Sequence, residues 1–442
     1  MSTGRWKFAY PDGVKFRCQQ CGDCCRGLDV PLSSGERARL ETLDWRGRED
    51  RLVDAAAAVE VRTSGGRHDR LARDDDGACV FLGAEQQCLI HEHFGAAAKP
   101  LACRMYPFSF RPTGDRVAVD AAFSCRSVSH GQGEPLSVFE DGWAELLGDA
   151  ATRGADRHRL TGEHRIDGDL VWEVEGHLAQ FLRDRSFAML DRIRCALQYL
   201  RIATTGDPTT AAAPTLRAVL AKGIPDQVRK AAEPELEPDK TQRAVFYLWT
   251  FLLLNRAPPD MPTWHRHELQ RQRERRQAQA EAFRDNRGRP WLDNRELGVS
   301  FAAIDAVDTA FLTGAAEPVI EQFLCAKLTG QRFRFAAEEE LPLVLAARRL
   351  LLTYPVLIWT AKALAAERGS AGVEDGSARA ELADLRAALR LVDPSLDQLR
   401  TAALPRKQRE AWEFVLVETD MIVSMARLQL GLPPPPPAPD LP

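Results

Sequence analysis

Apolar positions recur at helical spacing from about residue 170 to residue 430. Between Trp172 and Leu200 they fall at Leu178, Phe181, Leu182, Met189, Ile193, Leu197 and Leu200, which is one face of a helical pattern. The segments Thr209–Leu220, Thr241–Arg256, Phe301–Leu312, Pro318–Leu328, Leu341–Arg368, Ala378–Val392 and Arg406–Leu430 continue it. The first 130 residues read differently, with short apolar runs broken by turn residues. Cys79-Val80-Phe81-Leu82 and Cys88-Leu89-Ile90-His91 flank Gly83-Ala84-Glu85-Gln86-Gln87, a spacing that predicts a hairpin. Val117 and Val119, after Gly114-Asp115, predict one more short strand. Ser33-Ser34-Gly35-Glu36 ahead of Arg37–Leu40 predicts a helix start with a serine cap.

The predicted fold class is α+β, mostly α. A small cysteine-rich, metal-stabilised N-terminal domain (1–130) is followed by a linker (131–169) and a larger helical domain (170–430). The tail 431–442 holds Pro433–Pro437 and Pro439, a polyproline stretch that cannot join a core. No fixed-period repeat is visible.

Composition narrows the function classes. The 442 residues are 45% hydrophobic and 28% charged, as in a soluble globular protein with a sizeable core. Lys and Arg number 59 against 63 Asp and Glu, a formal charge of -4, which argues against a general nucleic-acid binder. The arginine-rich stretch Trp264–Arg289 reads as a solvated charged helix. The N-terminus lacks the apolar core of a secretory signal, and no run reaches the roughly 18 apolar residues of a membrane span. Ala244–Leu254 and Leu350–Ala361 read as buried core helices. The expected location is the cytoplasm, where thiols stay reduced.

Against that background the cysteines stand out. Of ten, eight lie in the first 125 residues: Cys18, Cys21, Cys24, Cys25, Cys79, Cys88, Cys103 and Cys125. The first four form a C-x2-C-x2-C-C array. C-x2-C turns two thiolates toward one ion, and Gly22 and Gly27 supply the free dihedrals that such turns need. C-x2-C-x2-C also matches loops that wrap a cubane iron–sulfur cluster. All eight cysteines are therefore candidate metal ligands, for an iron–sulfur cluster (4Fe-4S first) or for zinc. Adjacent side chains diverge, so Cys24 and Cys25 are expected to serve different centres. Eight thiolates suit two sites of four, or one cluster plus a reactive or structural pair.

Several segments together carry a resemblance to a known family: Phe16–Gly27, Cys79-Val-Phe-Leu, Cys88-Leu-Ile-His91, and Lys99-Pro100-Leu-Ala-Cys103-Arg104-Met-Tyr106-Pro107-Phe108. In order and spacing they resemble the YkgJ-type cysteine-cluster family, described as zinc- or iron-chelating, over about residues 14–127. Carried over by position, Cys18, Cys21, Cys24, Cys25, Cys79, Cys88 and Cys103 match the family's cysteines, and Cys125 matches a later one. The family includes flagellin lysine N-methylases, so the resemblance implies S-adenosylmethionine as a cofactor and a protein substrate for such an activity. The residues themselves show no G-x-G-x-x-G turn and no C-x3-C-x2-C. A non-catalytic assembly module is the alternative, with zinc stabilising the small domain and the helical part recognising a partner. Electron transfer is a third reading.

Other residues have narrower readings. His91 and His93 are expected on a turn or short strand and are not counted as ligands, and His265 and His267 are expected in solvent. Arg104 could donate to a cluster sulfur or pair with a carboxylate. Cys195 and Cys325 read as small core hydrophobes.

Overall fold

The computed structural model describes residues 6–53, 59–62, 68–148, 157–161, 164–202, 238–255, 266–336, 339–370, 378–396 and 421–432. The N-terminal part opens with β1 (Phe8–Ala9), β2 (Lys15–Phe16), α1 (Asp23–Gly27), β3 (Pro31–Leu32) and α2 (Ser34–Glu41). The predicted serine cap is present. Ser33 Oγ accepts from the Glu36 backbone and the Glu36 carboxylate accepts from the Ser33 N–H, a reciprocal capping box. Strands β4 (Val59–Arg62) and β5 (His68–Leu71) follow, and β5 pairs antiparallel with both β3 and β4.

The hairpin predicted across Gly83–Gln87 is reduced to a single bridge, Leu82 to Cys88. Its second arm is instead α3 (Leu89–Phe94), with Cys88 extended at the N-cap. The run Leu89-Ile90 satisfied both periods, and burial of both side chains in a local core selected the helix. His91 and His93 therefore lie on a helix. Next come α4 (Leu101–Met105), β6 (Phe108–Thr113) and β7 (Arg116–Ala121), the strand expected around Val117 and Val119. α5 (Arg126–Ser129) follows directly on Cys125.

Residues 131–169 were expected to link two parts, but they contain regular structure. β8 (Glu134–Pro135) pairs with β2, α6 (Glu140–Leu147) buries Trp143, and β9 (Arg157–Thr161) forms a hairpin with β10 (His164–Asp167). Trp143, Leu160 and Ile166 join the large hydrophobic core.

The helical part contains α7 (Gly168–Arg183), α8 (Met189–Ile202), α9 (Lys240–Leu254), α10 (Arg266–Arg284), α11 (Phe301–Asp305), α12 (Glu317–Gly330), α13 (Leu343–Ser370), α14 (Leu382–Val392) and α15 (Met421–Leu430). The Trp172–Leu200 pattern is thus two helices. Asp184 breaks it, because its carboxylate accepts from the Ser186 N–H and hydroxyl and holds a turn. The helix expected over Phe301–Leu312 stops at Asp305. The segments 209–220 and 406–420 and the polyproline tail lie outside the described residues, as does His265. The arginine-rich helix is present as α10; it packs on α9 and buries Ala280 and Phe283, so it is not wholly solvated. α13 is long and apolar enough to cross a membrane, but 94% of its apolar window is buried inside this fold, where it packs against α14 and α15.

Two hydrophobic clusters organise the chain. The large one combines the helices with β7 and its neighbours Phe108, Phe123 and Val128. The small one contains Val30, Leu32, Leu40, Trp45, Leu52, Leu71, Phe81, Leu89 and Ile90, and Cys79, Cys88 and Cys103 pack against it.

Candidate metal centre

None of the ten cysteines is in a disulfide. α1 starts at Gly22, whose φ of 71° is left-handed; an added Cβ there would sit 2.5 Å from Gln86 Oε1 and 2.6 Å from an Arg26 guanidinium nitrogen. That turn places Cys24 and Cys25 inside the first turn of a helix. Gly27 closes the same helix rather than opening a second turn. The Cys79 N–H donates to the Cys25 carbonyl at 2.8 Å, which fixes the loop against the next cysteine segment. Cys88 stands at the N-cap of α3 and Cys103 lies on α4.

These elements converge. Cys24, Cys25, Cys79, Cys88 and Cys103 line one cavity of ≈ 60 Å³. Its wall is otherwise mostly apolar (Val30, Leu71, Phe81 and Ile90 among others), with Tyr106 and two cationic side chains, Lys99 and Arg73. Cys24 and Cys25, expected to serve different centres, both line this cavity. Neighbours on a helix are about 100° apart rather than opposed as on a strand, so both can reach one cavity.

The remaining three cysteines stand apart from this wall. Cys21 and Cys125 interact electrostatically with each other and with Cys24, while Cys18 is exposed. Cys24 is therefore the thiol shared between an inner group of five and an outer pair. Among the described residues, no three His, Cys, Asp or Glu side chains stand close enough together to hold an ion as placed. The sulfurs surround a space rather than meet at a point.

The electrostatics are those of buried thiols. A hydrogen bond with Cys25, then burial, raises Cys24 far above the ordinary thiol range. Burial pushes Cys79 up to about 11, Cys103 up to about 12 and Cys125 up to about 11. Lys99 opposes the rise at Cys24 and Cys103, and Arg73 opposes it at Cys79. Thiolates at such a place need a strong local cation, and a thiolate-binding metal supplies one. The donor set therefore fits an all-cysteine zinc or iron–sulfur site.

Sequence reasoning gave no role to Lys99, Arg73 or Tyr106. The first and last lie inside the Lys99–Phe108 motif, so their nearness to Cys103 was a usable signal. Arg73 had none; three backbone carbonyls, Arg26, Leu28 and Gly77, accept from its guanidinium and hold it at the wall. Arg104 does not line the cavity, and its Nε is buried without a hydrogen-bond partner. Cys195 and Cys325 are buried in the large core as expected.

Residues 17–126 match the CxxCxxCC family, whose description reads "Putative zinc- or iron-chelating domain". This chain carries a cysteine-cluster domain of that family. No curated protein and no solved structure is significantly similar to the chain. The CxxCxxCC domain as matched ends one residue past Cys125, so all eight N-terminal cysteines fall within it.

The CxxCxxCC domain is joined to the helical body through a buried charge cluster. Lys327 Nζ on α12 donates to both oxygens of Asp120 on β7 at 3.0 and 2.9 Å and to the Ala121 carbonyl at 3.0 Å. It also lies 2.5 Å from Asp393 Oδ1, and Asp393 Oδ2 accepts from the Ser124 N–H at 3.2 Å. The segment leading into Cys125 is thereby tied to two elements of the helical body.

Proposed function

We propose that the chain binds a metal centre in its N-terminal domain, that the centre is an iron–sulfur cluster, and that Cys25, Cys79, Cys88 and Cys103 form its inner ligand set with Cys24. The observation that carries this reading is five cysteines around one mostly apolar cavity. Tetrahedral zinc takes four thiolates close to one point. A cluster spreads its ligands around a larger body, and an apolar, cation-flanked wall tunes its potential. Cys21 and Cys125 form an outer pair, joined to the first group through Cys24, while Cys18 stands exposed. Cysteines held outside disulfides fit a reducing compartment, the cytoplasm.

Bound there, a cluster would supply one-electron chemistry or a Lewis-acidic iron. The residues of this chain would set its surroundings: Lys99 and Arg73 offset thiolate charge, and Val30, Leu71, Phe81 and Ile90 exclude water. The test is anaerobic purification of the full chain with metal and acid-labile sulfide analysis and a visible spectrum. Iron with sulfide and a brown colour is the expected result. Stoichiometric zinc in a colourless protein overturns the cluster and leaves the structural-zinc alternative.

A further inference from the structure

The face where α5, α14 and the Cys21 loop meet carries more positive charge than the described residues around it neutralise. Arg126 on α5 donates through Nε and Nη2 to Asp23 at 3.0 and 3.1 Å, a fork filled by one carboxylate. Arg386 and Arg390 are four residues apart on α14, so they project from the same side of that helix. α14 packs against α5. Both arginines act electrostatically on His130, as does Arg126, so the three guanidiniums lie within electrostatic reach of one imidazole. Cys21 and Asp23 oppose this positive charge at Arg390.

Neither Arg386 nor Arg390 pairs with a carboxylate among the described residues. Both are half-buried, and Arg386 Nε is shielded from solvent with no acceptor. A partly desolvated guanidinium with an unfilled donor is costly unless something fills it. Among the described residues Asp23 is the one carboxylate set against these three arginines, which leaves two guanidiniums without a carboxylate partner.

We propose that Arg386 and Arg390, with Arg126 beside them, bind an oxyanion next to Cys21, namely a phosphate or carboxylate group of a small molecule. The planar forks of arginine match both groups in a bidentate way. Two unmatched charges suit a dianion, and a phosphate monoester fits that count. The position, on the outer side of the cysteine cluster, would hold the charged end of a ligand whose other end reaches toward the thiols. The site does not depend on which metal the cysteines hold.

The experiment titrates inorganic phosphate, and separately succinate, into the metal-loaded full chain at fixed ionic strength, followed by calorimetry. Expected is saturable binding of at least one of them, weakened at least tenfold in the Arg386→Gln/Arg390→Gln double variant while metal content stays unchanged. Tighter phosphate assigns the site to phosphate, and tighter succinate to carboxylates. Binding that is absent in the wild type, or equal in wild type and double variant, overturns the proposal. Loss of metal in the double variant also overturns it, because the arginines would then serve the thiolates. Should the double variant not fold, Arg386→Gln alone gives the same reading, with weakening of threefold or more expected.

Discussion

The Cys79 N–H donates to the Cys25 carbonyl at 2.8 Å. One backbone hydrogen bond therefore sets the spacing between the helical C-x2-C-x2-C-C loop and the first cysteine of the following segment, before any metal is considered. Cys88 and Cys103 are brought to the same cavity from α3 and α4, so four separate chain segments supply the inner thiols.

The inner and outer cysteines should respond differently to substitution. Cys25→Ser and Cys103→Ser are expected to remove the inner metal and lower the melting temperature of the N-terminal part, since metal binding there contributes directly to folding. Cys24→Ser, at the junction, should also disturb whatever Cys21 and Cys125 hold. Cys18→Ser should keep the inner metal. Metal analysis and thermal melting of the four variants check this, and a Cys18→Ser protein without metal would refute the partition.

Lys327→Met should destabilise the fold by about 3–5 kcal/mol, because it leaves Asp120 and Asp393 buried with their shared cation gone. Burial already raises Asp120, and Lys327 opposes that rise. Adding Asp120→Asn should recover part of the loss. Urea unfolding of the single and double variants measures it, and equal stabilities would show that the pair is not coupled.

Gly133→Ala should cost about 2–3 kcal/mol. Its φ is +107°, and an added Cβ would stand 2.3 Å from the Phe16 carbonyl carbon, a clash with backbone that cannot rotate away. The pairing of β2 with β8 would be lost just before Cys18. Thermal melting decides; an unchanged melting temperature would contradict the close approach.

Stability should fall as pH rises through neutrality on account of Glu175. Burial raises its carboxyl to about 8, with Arg334 and the Gln331 amide opposing. A folded pKa above the unfolded one stabilises the fold fully below the unfolded value, near 4.5, and that contribution is lost as pH climbs toward 8. The loss is on the order of 4 kcal/mol between those limits. Glu175→Gln keeps an acceptor for Gln331 and should flatten the dependence. Urea unfolding of both proteins at pH 5 and pH 8 tests the slope.

The amino-acid sequence by itself determined most of the helices and the thiol character of the candidate site. Helical periodicity marked α7, α9, α12 and α13, because a face buried along a helix must repeat near every 3.6 residues. The capping box at Ser33 and Glu36 is local and was legible as such. The cysteine spacing named the donor type, since thiolates close together in sequence are close in space. Tertiary structure decided what depends on distant partners. Leu89-Ile90 became helical only because a separate core received both side chains. The described parts of 131–169 became built structure because Trp143, Leu160 and Ile166 found the large core. Which thiols share a cavity was set by the packing of four segments, and so was the arrival of Arg73 and Lys99 beside them. Lys327 meets Asp120 and Asp393 across separations that no local pattern encodes. Local propensity is written in short windows, whereas burial and charge pairing depend on which surfaces meet when the chain closes.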